Sequence, residues 1–201
     1  MFSPDGLALA VADNEGGVCV YDISTGKIPF RTVADRAVYA VASLAFSPDG
    51  KLMATTQPKG NAVRLWKWST SEAVASLPGV ASPGAVAFSS DGQLLAATSL
   101  SPGPVKIWDV NSGKERISLA TSPETVAVSA VTFSGDGKLL AAFDMAGRIT
   151  IWDVASGQTQ ATLDHGGGQG LALAFGPDNK TLLAASQGSV KRWTAGSGKR
   201  N

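Results

Sequence analysis

Apolar residues fall in short runs that recur along the chain: KLMATT at 51–56, QLLAAT at 93–98, KLLAAF at 138–143 and KTLLAA at 180–185. Each is followed by a polar or glycine-rich break and then by a second run ending on tryptophan: VRLWKW at 63–68, VKIWDV at 105–110, ITIWDV at 149–154 and VKRWTA at 190–195. The first set is apolar almost without interruption, the pattern of strands covered on both faces rather than of a sheet with one wet side. Its many alanines permit close approach of neighbouring layers. Turn signals such as ISTGK at 23–27, VNSGK at 110–114 and VASGQ at 154–158 follow the tryptophan runs and lead into weaker outer strands, ERISLA and TQATL among them. Each unit therefore predicts four strands.

Ahead of each first run stands a turn with a phenylalanine at its head: FSPDG at 2–6 and 46–50, FSSDG at 88–92, FSGDG at 133–137 and FGPDN at 175–179. Proline fixes φ and glycine supplies a positive φ, so the motif predicts a tight hairpin. The Phe spacings are 44, 42, 45 and 42, through Phe46, Phe88, Phe133 and Phe175. The corners are Asp49-Gly50, Asp91-Gly92 and Asp136-Gly137. A second marker keeps the same phase: Tyr21, Trp66, Trp108-Asp109, Trp152-Asp153 and Trp193. A period in the low forties with two markers in step is the signature of a propeller blade. The fold expected is all-β: a propeller of about five four-stranded antiparallel blades, with the first and last incomplete. As a single domain over 1–201, its units run approximately 1–34, 35–78, 79–121, 122–164 and 165–201. The first lacks its innermost strand and the last ends after its third, which totals 18 strands and leaves GLALAVAD at 6–13 as an apolar edge.

The segments FSPDGKLMAT with VRLWKW, FSSDGQLLAAT with VKIWDVNSGK, and FSGDGKLLAAF with ITIWDVASGQ resemble the WD-repeat family, in a degenerate form similar to its bacterial members. The resemblance implies a β-propeller platform for other proteins, without catalysis in the propeller itself. The chain departs from the family in two respects. WD repeats commonly carry a Gly-His pair before the first strand and an Asp in the second hairpin, which hydrogen-bond with a Ser/Thr and the Trp. Here that network is expected to be largely missing: His165 is the only histidine, and Asp13 and Asp144 sit about two residues from the usual offset. Most family propellers also have seven blades, more than this chain supplies. It is then a fragment of a longer propeller, a small irregular ring, or a protein whose copies join end to end, the first reading being preferred.

Composition narrows the function. Seventeen Lys and Arg against sixteen Asp and Glu leave a net charge of +1, too weak a field to draw the chain to nucleic acid or anionic lipid. No apolar stretch is long enough to span a bilayer as a helix. Cys19 is the only cysteine, expected as a buried, unreactive residue in a reducing compartment, with the cytoplasm as the default. HGGGQG at 165–170 superficially resembles an oxyanion loop, but no Gly-x-Ser-x-Gly elbow accompanies it, and a single histidine cannot serve both loop and base. GSGKR at 196–200 lacks the rest of a phosphate-binding loop. The repeated aspartates read as turn residues rather than calcium ligands. The basic residues beside Trp66, Trp68 and Trp193 read as strand charges rather than a stacking platform. No catalytic residue, cofactor or metal site is expected.

The expected function is a non-catalytic protein-interaction scaffold; the alternative is a propeller enzyme or small-ligand binder, hydrolase- or lactonase-like, working through the central channel. Partners are expected to dock on the loops joining successive blades and on the second hairpins, where rigid strands hold variable loops. Arg36, Tyr39, Lys59, Glu124, Met145, Arg148 and His165 are the candidate contacts. Partners are other proteins, without nucleic acid or membrane, and self-association through open edge strands is a further expectation.

Overall fold

The computed structural model describes residues 1–13, 17–32, 41–56, 61–121, 126–166 and 168–195. Among these residues every sheet is antiparallel and the one helical element is a single 3-10 turn, Trp68–Thr70. The first sheet holds β1 (Ala8–Ala12), β2 (Val18–Asp22) and β3 (Phe30–Thr32). The second holds β4 (Ser43–Phe46), β5 (Met53–Thr56), β6 (Ala62–Lys67) and β7 (Glu72–Pro78). The third holds β8 (Pro83–Phe88), β9 (Leu94–Ser99), β10 (Val105–Asp109) and β11 (Glu115–Leu119). The fourth holds β12 (Val128–Phe133), β13 (Leu139–Asp144), β14 (Arg148–Asp153) and β15 (Thr159–Asp164). The fifth ends with β16 (Gly170–Phe175), β17 (Thr181–Ser186) and β18 (Ser189–Thr194). These are sheets of three, four, four, four and three strands, the incomplete first and last blades that the pattern predicts.

The hairpin closing each inner pair is built by three side groups. In the second sheet Ser47 Oγ donates to Asp49 Oδ1 at 2.6 Å and accepts the Leu52 N–H at 2.9 Å, while the Lys51 N–H donates to the same carboxylate at 3.1 Å. Gly50 takes φ +70°, which a residue with a side chain rarely adopts. Ser3/Asp5, Ser89/Asp91 and Ser134/Asp136 repeat the arrangement, each pair at 2.6 Å. The serine hydroxyl, then the following N–H, hold Asp49, Asp91 and Asp136 below the usual carboxylate range. In the fifth sheet Gly176 replaces the serine. Asp178 instead accepts the Thr181 N–H and hydroxyl and the Lys180 N–H, and its pKa falls to about 2. The aspartate after tryptophan closes the next hairpin in the same manner: Asp109 accepts from the Ser112 N–H and hydroxyl, and Asp153 from those of Ser156.

Register explains why the sheets stack. Cross-strand partners on one face, the rear face, are Leu9–Tyr21, Met53–Trp66, Leu95–Trp108, Leu140–Trp152 and Leu182–Trp193. One residue along, on the forward face, lie Ala10–Val20, Ala54–Leu65, Ala96–Ile107, Ala141–Ile151 and Leu183–Arg192. Four buried clusters join the forward face of each sheet to the rear face of the next, from first-to-second through fourth-to-fifth, and among the described residues none joins the fifth to the first. Trp108 and Trp152 are fully buried in these seams. At about 1.5–3 kcal/mol per large apolar side chain, the seams carry most of the stability that no single thin sheet could hold. Hydroxyls reinforce two of them: Thr56 Oγ1 donates to the Gly84 carbonyl and Ser129 Oγ to the Gly170 carbonyl, both at 2.6 Å.

Three expectations change. The edge at 6–13 is not bare, because Met1–Ser3 run antiparallel to β1: the Ala10 N–H donates to the Met1 carbonyl at 2.8 Å and the Ser3 N–H to the Ala8 carbonyl at 2.9 Å. Cys19 is only half-buried, and its Sγ accepts from Arg31 Nε at 3.4 Å, since β2 and β3 pair those two positions. The bracing network survives in pieces: Trp66 Nε1 donates to Thr55 Oγ1 at 2.9 Å, and His165 meets Ser186.

Candidate docking face and central channel

An antiparallel four-stranded blade sends its first and third turns to one end and its second turn, together with the link to the next blade, to the other. Hydrogen bonds confirm that sorting. At one end the Met145 N–H donates to the Ala127 carbonyl, the His165 N–H to the Gly147 carbonyl, and the Leu100 N–H to the Ser82 carbonyl, at 2.8–2.9 Å. Ser99 Oγ donates to the Ala81 carbonyl, and the Ser82 N–H to Asn61 Oδ1. At the opposite end the Asp136 N–H donates to Asn179 Oδ1, joining the Phe-headed turns of the fourth and fifth sheets. Links and second hairpins thus share a single loop end.

Within that end Met145 is 40% exposed at the β13–β14 turn, and Leu100, which sequence reading passed over within SLSPGP, is 36% exposed. Asp144 shapes the Met145 turn by accepting the Ala146 and Arg148 N–H groups at 2.9 and 2.8 Å. Arg148 opens β14 and is half-buried. Arg36, Tyr39, Lys59 and Glu124 lie outside the described residues, as does GSGKR at 196–200.

His165 is corrected as a contact residue: its side chain is 1% exposed. The ring lies between Phe143 and Trp193, with centroids 5.3 and 5.4 Å away. Its Nε2 is 3.3 Å from the Ala184 carbonyl, which can only accept, so Nε2 carries the proton and Nδ1 accepts from Ser186 Oγ at 3.2 Å. Lys191 Nζ donates to the His165 carbonyl. A hydroxyl donating to imidazole is also how a serine nucleophile is activated. Here both partners are buried in a seam, so the pair braces two sheets rather than addressing a substrate.

The inner strands β4, β8, β12 and β16 border a central cavity of about 390 Å³, lined by apolar side chains such as Leu44, Val86, Val131 and Leu173. Its lining includes the hydroxyls of Ser43 and Ser129, and among the described residues none of the lining side chains is ionisable. The tryptophans with basic neighbours turn into the fold. Trp66 packs edge-on to Phe30, Trp68 donates to the Gly50 carbonyl and meets Phe46 edge-on, and Trp193 is buried. Trp66 and Trp68 are thus half-buried, each with one edge-on aromatic neighbour.

The family model "WD domain, G-beta repeat" matches residues 33–67 and 116–153. Among solved structures, the chain is similar to the Myceliophteria thermophila Cps50 (Swd1) beta-propeller domain, with a TM-score of 0.82 at 17% identity, over 96% of this chain and 64% of that one. The chain therefore spans less than two thirds of that propeller's length. No curated protein matches it. Two stretches of the chain thus match the WD repeat model, and its five sheets adopt the fold of a β-propeller of that kind.

Proposed function

We propose that the chain is a non-catalytic scaffold that docks other proteins on its loop end. The observation that carries this reading is the sorting of links and second hairpins onto one end, held by backbone hydrogen bonds to rigid strands, with Met145 and Leu100 standing out from it. Exposed apolar side chains on a fixed frame suit a protein surface of matching shape. From the sequence, Arg36, Tyr39, Lys59 and Glu124 are expected in the same set of loops, and the compartment that fits a single thiol is the cytoplasm. The channel reading finds less support, because hydrolysis needs an acid, a base or a nucleophile facing the substrate. Among the described residues the lining has no acidic or basic side chain, and its hydroxyls are already engaged: Ser129 donates to the Phe143 and Gly170 carbonyls, and Ser43 accepts the Val86 N–H.

The test is proximity crosslinking in the source cell, comparing the wild type with Met145→Asp and with a control at the opposite end, Lys138→Asp. Crosslinks that vanish in the first variant and persist in the second are expected. Equal loss in both, or none in either, would overturn the loop end as the docking face.

A further inference from the structure

We draw no further inference here: the strongest candidate, the central cavity between the inner strands β4, β8, β12 and β16, belongs to the site already described, and nothing in the structure shows what occupies its apolar wall.

Discussion

Ser186 Oγ lies 3.2 Å from Nδ1 of His165, and both groups are buried where the fourth and fifth sheets meet. His165 arrives from the link after β15, Ser186 ends β17, and Phe143 and Trp193 close on the ring from either side. His165→Ala would open a cavity and remove one partner each from the Ser186 hydroxyl and the Ala184 carbonyl. The expected cost is about 2–4 kcal/mol in urea unfolding. His165→Gln keeps a donor and an acceptor and is expected to recover part of it. A loss under about 0.5 kcal/mol in the alanine variant would show that the ring is not a brace.

The turn serines make a second, cheaper contribution. Ser89 is 1% exposed, and its Oγ bridges Asp91 and the Leu94 N–H. Ser89→Ala leaves that N–H without its partner, so a loss of about 1–2 kcal/mol is expected from chemical denaturation. Asp91→Asn removes the charge but keeps an acceptor and is expected to cost less. Equal stability of Ser89→Ala and wild type would refute the bridging role.

Acid sensitivity follows from the same turns. The folded-state pKa of Asp178 is about 2 against 3.8 for the free group, and those of Asp5, Asp49, Asp91 and Asp136 are also lowered, first by their serine hydroxyls. A carboxylate held below its unfolded value adds stability that is complete above pH 3.8 and is lost as pH falls through the folded value. Stability is expected to decline between pH 4 and 2, and Asp178→Asn to flatten the lower part of that decline. These groups are solvent-exposed, so added salt is expected to shrink the effect. A profile for Asp178→Asn that parallels the wild type throughout would contradict the assignment.

Much of the architecture could be read from the chain because each turn announces itself within five residues, and the aromatic marker follows its phenylalanine by 18 to 20 residues. Phe46, Phe88 and Phe133 all end the first strand of their sheets, and Gly50, Gly92 and Gly137 all take positive φ. What escaped reading depends on contacts between distant segments. His165 looks like a loop residue in HGGGQG, but Phe143 and Trp193, from two different sheets, decide its burial. Cys19 looks like a core residue in VCVYD, but it lies on the first sheet's rear face, away from the second sheet, and Arg31 reaches it from β3. The pairing of Met1–Ser3 with β1 had no signal beyond the turn motif that contains it. Among the docking candidates on described residues, the placement of Met145 and Arg148 on the β13–β14 hairpin followed from the repeat.

A close approach between the fourth and fifth sheets gives the last prediction. Gly170 opens β16, and an added Cβ there would stand 2.4–2.8 Å from three ring carbons of Phe143, whose ring is fully buried. Its φ lies outside the positive range, so the constraint is space rather than backbone conformation. The ring cannot simply retreat, because His165 packs on it at 5.3 Å and Ser129 ties the Gly170 carbonyl to the fourth sheet at 2.6 Å. Gly170→Ala is therefore expected to destabilise by about 1–3 kcal/mol, as overpacking does. Phe143→Leu costs stability alone by leaving a void, but in the double variant the smaller side chain makes room for the new methyl. The two losses are expected to fall short of additivity by at least about 0.5 kcal/mol, and a strictly additive cycle would mean that the methyl is accommodated elsewhere.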